Sequence, residues 1–349
     1  NTFSIITRFA IHKTIRIIRI QIYGDVMKRN FELVKTNGVE INTLIEGDGK
    51  PVMFVHGWPE SWYSWRNQIE PFKNAGYKVI VPDIRGYGKS SNPEKIEEYT
   101  LKKITGDLIG ILDYLDEKDA HIIGHDWGAP ISWYTSLLYP ERIISVSGLS
   151  VPFNPFLDIP PTEIFKNIYK NDFFYILYFQ KYGVAEKELE FDLNKSLKQI
   201  FCNSDALGMK NRIESLSKNL TKKKKKGDLF LDFESVPNKL PHWLSKVDLK
   251  YFVEEFENSG MTGPLNRYRC MDLDWRELKH LSLNKIEKPA CFITGSLDPV
   301  NFFIPNVNLF ESIDANIFFT IPIELEPYVS NPTIFLSLIH ISEPTRLLS

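Results

Sequence analysis

Four short apolar runs in the first half of the chain, each separated from the next by a segment of helical periodicity, limit the possible folds more than any other feature. They are PVMFVHG (51–57), KVIVPDIRG (78–86), AHIIG (120–124) and IISVSGLSV (143–151). Runs without polar alternation suit strands covered on both faces, as in a parallel sheet whose crossovers are helices. The intervening segments 65–75, 101–115 and 129–138 carry the helical pattern. After Val151 the rhythm changes. From Pro152 to about Leu265 the chain reads as helical and rich in Phe and Tyr, and then PACFITGSLDP resumes the strand pattern. A helical insertion therefore splits an α/β core. The expected division is 27–151 for the first part of the core, 152–265 for a helical cap and 266–315 for the second part.

Both ends differ from this middle. Residues 1–26 carry no acid before Asp25 and alternate Ile with Arg or Lys, whereas Met27 opens a segment that reads like a natural start. That composition suits a translated leader, or else a basic targeting or interfacial segment. LSLIHISEPTR (336–346) is similar to one reading frame of a transposase adapter used in sequencing libraries. Residues 316–349 are accordingly set apart as doubtful.

Composition narrows the function classes. The 349 residues carry a formal charge of -2, which gives no reason to expect a nucleic-acid partner. Three cysteines (Cys202, Cys270, Cys291) show no metal spacing and point to a reducing compartment, hence a cytoplasmic location. The run Lys222–Lys226 reads as a solvated loop of the insertion.

The chemistry is concentrated in IGHDWGA (123–129). Small residues two positions either side of Asp126 match a sharp strand–turn–helix bend, which lifts one side chain above the sheet's carboxyl edge. A carboxylate there can attack an electrophilic carbon without prior deprotonation and form an alkyl ester. The bland alternative is an Asp that caps the next helix. HGWP (56–59) ends the first core strand, so the backbone N–H groups of Trp58 and Trp127 can form an oxyanion hole. Asp298, at the end of a later strand, fits the chain order nucleophile, acid, histidine, although Asp-Pro also makes turns.

HGWP, DIRGYGKSS, IGHDWGA and TGSLDP in this order resemble the epoxide hydrolases of the α/β-hydrolase superfamily. YILYFQ (175–180) and GPLNRYR (263–269) in the cap extend the resemblance. It implies an α/β-hydrolase fold, no cofactor or metal, and a small apolar epoxide and water as substrates. It also implies that Tyr175 and Tyr268 donate to the epoxide oxygen; Tyr178, one helical turn from Tyr175, is the possible confusion. A haloalkane dehalogenase, or a hydrolase-fold protein that binds without turnover, are the alternatives. The family's catalytic histidine should follow Asp298. Of His12, His56, His121, His125, His242, His280 and His340, only His340 does, inside the adapter-like stretch. The expectation is a chain able to form the ester on Asp126 but lacking a credible base to hydrolyse it.

Overall fold

The computed structural model describes residues 29–218, 223–231, 239–282 and 284–304, together with the backbone of 319–323. The leader-like residues 1–26 and the adapter-like stretch 336–346 lie outside them.

The chain enters on a hairpin, β1 (Phe31–Thr36) and β2 (Val39–Glu46), paired antiparallel with Thr36 opposite Val39. Asn37 and Gly38, both at positive φ, form the turn, the Asn-Gly signal of a tight hairpin. β3 (Lys50–Val55), β4 (Tyr77–Pro82), β5 (Ala120–His125), β6 (Ile143–Leu149) and β7 (Ala290–Gly295) follow. β8 (Phe319–Ile323) pairs parallel with β7, within the span set apart from the sequence. The order is β1-β2-β4-β3-β5-β6-β7-β8, parallel from β4 onward.

Core helices α1 (Arg66–Asn74), α2 (Leu101–Tyr114) and α3 (Gly128–Leu138) connect the strands. Covered on both faces, the central strands need no polar side, and Val52 to Val55 and Val79 to Val81 are all buried. Among the described residues, eight helices then run between β6 and β7: α4 (Pro161–Ile168), α5 (Tyr175–Phe179), α6 (Val184–Glu190), α7 (Leu193–Ser204), α8 (Ala206–Ser217), α9 (Lys246–Ser259), α10 (Thr262–Arg269) and α11 (Met271–Leu278). The division expected at 265/266 falls inside α10, so GPLNRYR continues the helical insertion without a break.

Strand ends place the chemistry. β3 delivers His56 to Pro59, β4 delivers Asp83, β5 delivers Asp126 and β7 leads to Asp298, all at the carboxyl edge, where open α/β sheets bind their ligands. The insertion covers that edge: Tyr268 of α10 packs edge-on to Trp127 at 5.2 Å and Phe179 of α5 to Trp58 at 5.2 Å. Among the described residues no helix is long and apolar enough to cross a membrane.

Candidate active site

Asp126 has φ +50°, a left-handed conformation that few non-glycine residues adopt. The bend holds because its surroundings leave no room for alternatives. A Cβ on Gly128 would overlap the Val55 carbonyl oxygen, and one on Gly57 would overlap the Asp126 side chain. Glycines therefore let β3, β5 and α3 approach closely enough to bring the Trp58 amide to the carboxylate.

That amide donates to Asp126 Oδ1 at 2.8 Å, and the Trp127 N–H also bonds the carboxylate. Two main-chain amides thus face the carboxylate, with Oδ1 held by that of Trp58. The capping alternative is met only in part, since α3 has Trp127 at its N-cap with no side-chain bond. Burial pushes the Asp126 carboxyl up to about 6, opposed by the charge of His125 and by the two amides. It is mainly ionised at neutral pH.

The two histidines beside the nucleophile differ. His56 is fully buried, with Nδ1 against the Gly57 carbonyl at 2.9 Å and Nε2 accepting from the Ile84 N–H at 3.1 Å. Both ring nitrogens are used, and burial pulls its pKa down to about 4. It stays neutral. His125 bonds Glu60 Oε1 through Nδ1 at 2.9 Å, while Glu60 Oε2 accepts from the Gly57 N–H at 2.9 Å. Burial works against the imidazolium, but Glu60, then Asp126 and Asp298, outweigh it and push His125 up to about 9. A cation therefore flanks the nucleophile, which disqualifies His125 as a base near neutral pH. The pair Glu60–His125 escaped sequence reading. The only signal was an acid directly after HGWP.

In the insertion, the Tyr175 and Tyr268 rings lie 5.8 Å apart and their hydroxyls are hydrogen-bonded. The Trp127 indole N–H donates to the Tyr268 hydroxyl. Burial first, and then nearby negative charge including Asp126, raises both phenols well above their ordinary range. Both remain protonated donors. Tyr178 points elsewhere, donating to Glu188 Oε2 at 2.7 Å. That partner separates it from Tyr175.

Asp298 accepts from the Val300 N–H at 2.9 Å, capping the turn Pro299–Phe302, and from Ser150 and Thr294. The capping role is present, and burial raises the carboxyl despite these bonds and the nearby His125. Among the described residues no histidine is hydrogen-bonded to Asp298. His121 bonds Ser145 Oγ at 2.7 Å, and His242 and His280 are exposed in the insertion. His12 and His340 lie outside the described residues. No group of three or more potential metal ligands occurs among the described residues.

The lysine run is more than a solvated loop. Lys224 Nζ donates to the carbonyls of Leu229 and Phe230 at 2.8 and 2.7 Å, and Lys223 and Lys225 bond Asp172. Ionic partners on a neighbouring segment, invisible in a one-dimensional charge count, explain the difference.

Residues 50–302 match the α/β hydrolase fold family. Over 274 residues the chain is 40% identical to epoxide hydrolase A of Mycobacterium tuberculosis, spanning 78% of this chain and 83% of the relative. The chain belongs to the epoxide hydrolases of the α/β-hydrolase superfamily. It is also 38% identical over 279 residues to bifunctional epoxide hydrolase 2 of Sus scrofa, covering 79% of this chain and 48% of that longer protein. The crystal structure of epoxide hydrolase A from Mycobacterium thermoresistibile superposes with a TM-score of 0.79 at 36% identity, covering 88% of this chain and 96% of that one. Family membership agrees with the parallel sheet, the helical insertion and a carboxylate at the bend.

Proposed function

We propose that this epoxide hydrolase opens apolar epoxides through a covalent ester on Asp126. The observation that carries the reading is the convergence of an amide-held carboxylate with two hydrogen-bonded, protonated phenols. Asp126 Oδ2 attacks a ring carbon as the carbon–oxygen bond breaks toward the oxygen. Tyr175 or Tyr268 donates a proton to that oxygen, giving a hydroxyl on the carbon beside the new ester. Oδ1 becomes the ester carbonyl oxygen and stays against the Trp58 and Trp127 amides, which then stabilise the negative charge that builds there when water adds. Collapse of that adduct releases the vicinal diol and restores the carboxylate, and the proton that the attacking water gives up returns to the deprotonated phenol. The aromatic lining favours apolar substituents, as small-molecule sites commonly do.

The place of Asp298 after β7, close enough to His125 for their charges to interact, supports a role in orienting a base for the attacking water. The described histidines are neutral and satisfied (His56), cationic (His125), bonded to Ser145 (His121) or exposed (His242, His280), so the ester is expected to outlive its formation. Incubation with styrene oxide should add one substrate mass to the Asp126 peptide, seen by peptide mass spectrometry, with slow diol release. Asp126→Asn should abolish the label. A label that persists in Asp126→Asn, or none on the folded unsubstituted protein, overturns the reading.

A further inference from the structure

Residues 223–231 carry an aromatic side chain to the rings around the nucleophile. Phe230 is partly buried, with its ring centroid 5.2 Å from Phe179, 6.0 Å from Tyr175 and 6.0 Å from Trp58. It thus touches both a phenol that serves the epoxide oxygen and the residue whose amide holds the nucleophile.

The loop is fastened from both sides. Lys224 Nζ takes the carbonyls of Leu229 and Phe230, while Glu188 of α6 accepts the N–H of Phe230 at 3.1 Å and of Leu231 at 2.7 Å. The Lys224 ammonium also lies 5.2 Å over the ring of Phe173, which itself stacks on Phe230 at 6.4 Å. Backbone bonds from Phe173 N–H to the Lys224 carbonyl and from Lys226 N–H to the Asn171 carbonyl, both 3.1 Å, tie the run to the segment just before α5. Two opposite charges on two carbonyls and two amides fix the main chain across Leu229–Leu231, and so fix where the Phe230 ring stands.

We propose that Phe230 is a specificity-determining residue, a wall clamped by Lys224 and Glu188 that limits the size of the epoxide substituent lying between Trp58 and Tyr175. The inference rests on the epoxide reading above. Its signature is a change in the ratio between substrates, since removing a ring from a pocket wall favours the larger ligand.

The test compares rates of Asp126 alkylation by styrene oxide and by trans-stilbene oxide, which adds a second ring. Phe230→Ala should move the ratio toward the larger epoxide by about tenfold or more, the scale on which pocket shape discriminates. Phe230→Leu should move it the same way by less. Lys224→Met should also shift it in this direction, and Lys226→Met, outside the clamp, should leave it unchanged. A ratio unaltered in folded Phe230→Ala overturns the wall. A shift with Phe230→Ala but none with Lys224→Met overturns the clamp. Failure of both epoxides to label the unsubstituted protein overturns instead the reading of the site, separately recognisable because no ratio exists.

Discussion

Asp126 and Trp58 are joined before any substrate arrives: the Trp58 main-chain N–H donates to Asp126 Oδ1 at 2.8 Å across 68 residues of sequence. On the proposed reading, the donor that faces the oxyanion of the second step therefore already orients the carboxylate for the first. Preorganisation of this kind leaves little to rearrange during reaction.

Because burial holds the Asp126 carboxyl up near 6, ester formation should depend on pH in a range where an ordinary aspartate would be silent. The protonated acid is not the nucleophile, so the alkylation rate should fall as pH drops through about 6 and level off above about 7. Single-turnover labelling followed by mass spectrometry from pH 5 to 8 measures it. A flat profile down to pH 5 would contradict the assigned environment.

On the proposed reading, Tyr175 and Tyr268 both donate to the developing alkoxide. Replacing either by Phe should slow alkylation by about 10²- to 10⁴-fold, the usual range for losing a positioned acid. Tyr178→Phe should leave styrene oxide labelling near the unsubstituted rate, because its hydroxyl serves Glu188. Equal losses for Tyr175 and Tyr178 would place the donor incorrectly.

Glu60 keeps His125 cationic. The imidazolium is stabilised in the fold, so its contribution to stability is complete below the ordinary histidine value of 6.5 and disappears as pH rises through about 9. In Glu60→Gln, the His125 titration should move from about 9 toward 6.5 or lower, since burial then meets less opposition. NMR titration of the imidazole resonances checks it. An unmoved titration would mean that Asp126 and Asp298 suffice.

Asp83 at the end of β4 and Glu255 of α9 form a buried acidic pair between sheet and insertion. A Cβ on Gly88 would sit 2.6 Å from an oxygen of each. Burial raises both carboxyls; Asp83 raises Glu255 further, Lys89 opposes the rise in both, and hydrogen bonds from Tyr251 to Glu255 and from Trp62 and Asn42 to Asp83 oppose it as well. Acids with raised values bind more protons when folded, so stability should fall as pH climbs from the ordinary carboxylate range near 4, with the Asp83 part ending near 6 and the Glu255 part near 8. Glu255→Gln keeps a polar group for Tyr251 and should flatten that decline in thermal unfolding scans. A decline of the same steepness in the variant would rule the pair out as its source.

The sequence by itself determined the strands, the bend and the fold class, because these depend on local pattern. Apolar runs too short for helices specify strands covered on both faces, and small residues on either side of Asp126 specify a tight crossing, whatever the rest of the chain does. Tertiary structure alone decided which groups meet. Glu60 reaches His125 across 65 residues, and Tyr178 is distinguished from Tyr175 by its bond to Glu188. Lys224, one of five consecutive lysines, differs from its neighbours because the loop turns its ammonium back onto two carbonyls. Protonation follows the same rule. Two histidines with the same ordinary value of 6.5 end near 4 and near 9, because burial and the nearest charge are properties of the packed chain and not of its order.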